Sequence, residues 1–128
     1  KNVYFLGGKK PEQTAAYIRH FTLCINPQLV NPLTIGNYPR KIDEYLASGK
    51  PVVATATPAM EMFREHTLLC NTVEEYITNI RKLVDEPVWT SQALQIRRRD
   101  FALTHTWEQS VGAMGDAFYF TGRKYHPA

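Results

Sequence analysis

Asn37-Tyr38-Pro39-Arg40-Lys41-Ile42-Asp43-Glu44-Tyr45-Leu46-Ala47-Ser48-Gly49-Lys50-Pro51-Val52-Val53-Ala54-Thr55 runs from loop to helix to strand without a spare residue. Ile42, Tyr45 and Leu46 recur at helical spacing, so the run from Arg40 to Ser48 is predicted to be a helix with one apolar face. Gly49 suits the left-handed position after a helix end, and Pro51 blocks any continuation. Val52 to Ala54 then reads as a buried strand. Two cations and two carboxylates stand in the first turns of this helix. That grouping fits an anionic ligand that also carries hydroxyls.

Working outward, Val3 to Leu6 is an apolar run closed by Gly7-Gly8 and is expected to be a strand. Pro11 opens a helix on which Ala15, Ile18 and Phe21 share a face. Leu23 to Ile25 reads as the next strand. It leads into an aperiodic loop, Asn26 to Pro39, long enough to be read as functional rather than connective. Beyond the central run, a turn or short helix is expected at Ala59 to Phe63 and a strand at Thr67 to Cys70. Thr72-Val73-Glu74-Glu75 has capping-box form, and Val73, Tyr76, Ile77, Ile80, Leu83 and Val84 follow helical spacing. A helix over Ser91 to Leu103 follows, then one capped by Thr106 with Trp107, Val111, Met114 and Phe118 aligned, and a loose tail after Gly122.

Short strands alternating with helices predict an α/β domain: a Rossmann-like parallel sheet of about four strands with helices on both faces. Ligands of such sheets bind beyond the carboxyl ends of the strands. Here those ends are Gly7 to Pro11, Asn26 to Pro39, Thr55 to Met60, and Asn71. One domain over residues 1–128, with 107–128 as closing helix and tail, accounts for the length.

The central run resembles the donor-site signature of GT-B glycosyltransferases of the retaining group 1 type, where a Glu-containing helix precedes Gly-x-Pro-Val-Val-Ala-Thr. Asn2-Val3-Tyr4-Phe5-Leu6-Gly7, Leu23-Cys24-Ile25-Asn26-Pro27 and Trp107-Glu108 extend the likeness over nearly the whole chain. The resemblance implies the nucleotide-sugar-binding part of a larger enzyme that moves a sugar from a UDP- or GDP-type donor to an acceptor held by a separate amino-terminal domain. It further implies that two sheet strands normally separate those matching residues 3–6 and 23–25. Without them the expected outcomes are direct pairing of the first strand beside the second or self-association, and no turnover by this chain alone.

By the same resemblance Glu44 accepts hydrogen bonds from the two ribose hydroxyls, and one carboxylate is well suited to two adjacent hydroxyls. Arg40 and Lys41 at the helix amino end oppose the helix dipole, a cost that a diphosphate would offset. Solvation of both cations, or pairing with Asp43 and Glu44, is the alternative. Asp43 is expected at the surface. The family's first glutamate falls at Gly36 here, so no side chain of that type contacts the sugar. Ile35, Gly36, Asn37 and Tyr38 are left to offer backbone N–H groups, while Tyr38 is equally compatible with packing on the helix. Gly8 and Lys9, after the first strand, occupy the family's base-binding turn.

Composition narrows the rest. A formal charge of +3 demands no nucleic-acid partner, and Arg97-Arg98-Arg99, pointing three ways on a helix, reads as a solvated face. No apolar run reaches the ~20 residues of a membrane span, and the opening residues lack signal-sequence form, which favours a cytosolic setting. Cys24 and Cys70 read as buried thiols. His20, His66, His105 and His126 are scattered, and no catalytic triad, metal cluster or acid–base pair emerges, so no catalytic residue is assigned and no cofactor or metal is expected. Two rivals remain: a nucleotide-sugar epimerase of the same fold, and a non-enzymatic binding module.

Overall fold

The computed structural model describes residues 2–122. Three parallel strands, β1 (Cys24–Asn26), β2 (Val52–Thr55) and β3 (Leu68–Cys70), form one sheet in the order β1-β2-β3. Cys24 stands opposite Val52, and Val53 opposite Leu68. Side chains alternate across the sheet, so β2 feeds two cores. Val52 and Ala54 meet Ile18, Ile42, Leu46, Met60 and Phe63 on one face; Val53 meets Cys70, Leu83 and Ile80 on the other.

Helix α2 (Arg40–Ala47) covers the first face together with α1 (Pro11–Arg19), a 3-10 turn at Pro58–Phe63, and α4 (Gln92–Leu103). Helix α3 (Val73–Asp85) covers the second, and α5 (Trp107–Gly122) closes the described chain. The tail expected to be loose after Gly122 lies outside the described residues. The domain class and the strands at the centre of the sequence are as expected. The sheet has three strands rather than four.

Val3 to Leu6 is the difference. The segment is apolar enough for a strand, yet no strand includes it among the described residues, and Phe5 is 97% exposed. A strand owes its stability to a ladder and a covered face, both supplied from outside the segment. Residues 3–6 have neither here, and the direct pairing expected beside β1 is absent from the described sheet.

Gly49 behaves as the sequence requires. Its φ is +74°, Gly49 N–H donates to Leu46 O (2.8 Å) and Lys50 N–H to Tyr45 O (3.0 Å), the two bonds of a Schellman stop. A Cβ there would stand 3.1 Å from Arg99 Nε and 3.2 Å from Gln95 Cβ. Gly49→Ala is therefore expected to lose about 2 kcal/mol, most of it the left-handed strain of a side-chain-bearing residue. Urea unfolding reads this as a lower midpoint at unchanged slope, and an unchanged midpoint would show that the turn relaxes.

Two helices differ from their predicted faces. In α1 only Ile18 is buried; Ala15 is exposed and the helix ends before Phe21. In α3 the covered stripe is Tyr76, Ile80 and Leu83, whereas Val73, Ile77 and Val84 are 68%, 47% and 58% exposed. All six satisfy helical spacing, but only residues three or four apart on one line can face a three-stranded sheet. The Thr72 cap is present with a shifted return arm. Glu75 N–H donates to Thr72 Oγ1 (3.2 Å), while the Glu75 carboxylate accepts from Asn71 N–H (2.6 Å), one residue before the cap.

Candidate functional site

The carboxyl ends of the three strands open toward the Asn26–Pro39 loop and the amino end of α2. The loop is built on side-chain caps. Asn31 Oδ1 accepts from Leu33 N–H (2.9 Å) and Thr34 N–H (3.1 Å), and Gln28 Nε2 donates to Thr34 O (2.7 Å). Ile35 N–H and Asn37 N–H are already committed, to Asn31 O and Thr34 O. Of the four backbone groups expected to face a ligand, two are thus engaged inside the loop. Gly36 N–H and Tyr38 N–H have no protein acceptor among the described residues.

Tyr38 packs. Its ring lies 5.9 Å from that of Phe63, and its hydroxyl donates to Asp43 Oδ2. Burial first, then the Asp43 hydrogen bond, raises its pKa well above the usual phenol range, so it stays a donor. Asp43 was expected at the surface; instead its second oxygen lies 2.9 Å from His105 Nδ1 at the junction of α4 and α5. One carboxylate therefore ties the loop end to the far side of the first core. His66 and His105, scattered in sequence, meet on Phe101: His66 stacks at 4.2 Å and His105 stands edge-on at 4.6 Å. Burial, with Arg97 nearby, pushes the His66 pKa down.

Glu44 lies one residue further round α2 and is exposed. It lines a cleft of about 520 Å³ between α1 and α2 together with Gly7, Lys9 and Lys41, and it also borders a larger groove of about 820 Å³ with Lys9, Ser48 and Arg99. Lys9 reaches back to Leu6 O and lies over the Tyr17 ring at 5.1 Å, while Gly7 takes φ +71°. The turn after residues 3–6 is thus held on α1, facing α2 across the cleft, although those residues form no strand. Gly8, its neighbour, borders neither hollow. Arg40 does not share the cleft. Its guanidinium sits over Trp107 of α5, 5.7 Å from the ring centre. The alternative of pairing with Asp43 and Glu44 is not taken either, since the ion pairs among the described residues are Arg64–Glu61 and His105–Asp43.

Arg98 was read as part of a solvated run. It is 4% exposed and donates to Gly49 O (3.2 Å) and Trp89 O (2.9 Å). Only its neighbours lie toward water, because three successive helix positions point three ways and one of them faces α2.

The profile of the family described as Glycosyl transferases group 1 matches residues 1–86. The chain belongs to that family. The match takes in the turn at Gly7 to Lys9, β1, the loop, α2, β2 and β3, so every candidate binding residue of this chain lies inside it. Helices α4 and α5 lie beyond it. No curated protein and no solved structure matches the chain. Among its described residues no helix is long and apolar enough to cross a membrane, and no group of three or more His, Cys, Asp or Glu side chains is placed to hold a metal.

Proposed function

We propose that this chain supplies the donor-binding face of a group 1 glycosyltransferase, with Glu44 taking the ribose hydroxyls of a nucleoside diphosphate sugar. The observation that carries the reading is one cleft: Gly7 and Lys9 from one end of the chain meet Lys41 and Glu44 from the central run across about 520 Å³. Lys9 on the base side, a carboxylate for the vicinal hydroxyls and the Lys41 ammonium for phosphate follow the ligand's own order of groups.

In this reading Lys41 and the free N–H groups of Gly36 and Tyr38 hold the diphosphate, with Ile35 and Asn37 giving the loop its shape. Arg40 remains within the reading, because its guanidinium rests against Trp107 without an ion pair among the described residues. Lys9 lies along the base, with Gly8 shaping the turn that carries it. Transfer then rests on electrostatic stabilisation of the departing diphosphate, which needs no covalent intermediate on the protein. The acceptor is bound elsewhere, so the chain alone binds donor without turning it over. Family membership favours this reading over epimerisation or a purely binding role.

Titrating UDP and GDP into the chain by calorimetry tests the proposal. Glu44→Ala is expected to lose about 1.5–3 kcal/mol, the range for hydrogen bonds to a charged group, or roughly 10- to 150-fold in affinity. Equal affinity in the variant for whichever nucleotide binds would remove Glu44 from the site.

A further inference from the structure

The loop leaves β1 through a closed circuit of hydrogen bonds that reaches across the sheet to α3. Gln28 N–H donates to Thr55 Oγ1 (2.9 Å), Thr55 Oγ1 lies 2.8 Å from Tyr76 Oη, and Tyr76 O–H donates to Asn26 O (3.0 Å). The directions are forced. Tyr76 has one proton, and a carbonyl can only accept it; Thr55, already accepting from a backbone N–H, gives its own proton to Tyr76. The circuit begins and ends on residues 26 and 28, the point where strand becomes loop.

From Gln28 the constraint continues. Its side-chain Nε2 donates to Thr34 O (2.7 Å), the same carbonyl that accepts Asn37 N–H (3.1 Å). Tyr76 of α3 and Thr55 of β2 therefore fix Gln28, and Gln28 joins the Asn31 caps in setting where residues 34–37 stand. Tyr76 is partly buried against Val53, Cys70 and Leu83. Burial also holds its phenol above the ordinary pKa, so it remains a donor.

We infer that Tyr76 is a positioning residue for the donor site: its hydroxyl holds the Asn26–Pro39 loop in the shape that presents Gly36 and Tyr38 to the ligand. The inference rests on the proposed donor reading for its functional half, and its structural half stands apart from it. The residue is too far along α3 in sequence to be read as part of the loop.

Amide hydrogen exchange of the free chain, paired with UDP and GDP titration, decides both halves. Tyr76→Phe keeps the ring and opens the circuit, removing the two bonds of the hydroxyl and leaving Gln28 N–H on Thr55 Oγ1. Exchange at Ile35 and Asn37 is expected to rise about 10-fold while Val53 in β2 is unchanged, and nucleotide affinity to fall roughly 5-fold, the scale of one neutral hydrogen bond. Thr55→Val is expected to reproduce the effect, and Thr55→Ser to restore it, since serine keeps the hydroxyl. Unchanged loop exchange in both Tyr76→Phe and Thr55→Val would overturn the inference. So would faster loop exchange with unchanged affinity for a nucleotide that the wild-type chain binds, because the loop shape would then not matter to the ligand. If the wild-type chain binds neither nucleotide, the donor reading falls and the functional half falls with it, while exchange still decides the loop anchor.

Discussion

Phe63→Ala is expected to destabilise the domain by about 3–5 kcal/mol, the range for removing a buried aromatic ring. Phe63 is 0% exposed and is the largest fully buried side chain of the first core. Its ring lies 5.9 Å from Tyr38, 5.9 Å from Phe101 and 5.8 Å from His105, so the cavity would open between the loop end, α4 and the α4–α5 junction at once. Against a total stability of about 5–15 kcal/mol for an ordinary domain, such a loss leaves little margin. Urea unfolding followed by circular dichroism reads it directly. A loss below about 1 kcal/mol would mean that the core collapses around the gap and that Phe63 does not organise it. Phe63→Leu keeps most of the volume but no aromatic edge, and is expected to lose about half as much.

Arg98→Ala is expected to cost about 2–4 kcal/mol. Hydrogen bonds from a charged donor contribute about 1.5–3 kcal/mol each, and here two carbonyls, Gly49 O and Trp89 O, lose their guanidinium partner. The loss is offset in part by relief from burying the guanidinium, where desolvation lowers the arginine's pKa and no carboxylate stands beside it. The balance is decided by the carbonyls, since Gly49 sits in a buried helix stop where water does not readily replace the lost donor. Arg97→Ala, one position along α4 and exposed, is the control and is expected to change stability by less than about 0.5 kcal/mol. Equal effects of the two substitutions would show that the run acts through net charge, as a solvated face would.

The central run was legible because its signals are local. Helix periodicity at Ile42, Tyr45 and Leu46, a glycine that must take positive φ, and a proline that cannot continue a helix all act within a few residues of where they stand. The same holds for the Thr72 cap and the order of strands and helices, which together imply a parallel sheet. The candidate binding residues all fall within residues 1–86, the stretch that the family match covers.

What sequence alone left open depends on partners distant in the chain. Val3 to Leu6 has strand composition, but a strand exists only where another chain segment completes its ladder, and none does so among the described residues. Asp43 and Glu44 are adjacent carboxylates with the same local surroundings; only the arrival of His105 from the α4–α5 junction and Tyr38 from the loop separates a structural anchor from a carboxylate left facing the cleft. Likewise Arg98 differs from Arg97 and Arg99 by about 100° of helix rotation, and only the packing of α4 against α2 converts that angle into burial. Local sequence determined which elements form; long-range closure, which lets one hydrogen-bond donor or one ring serve elements tens of residues apart, decided which side chains hold them together and which remain available to a ligand.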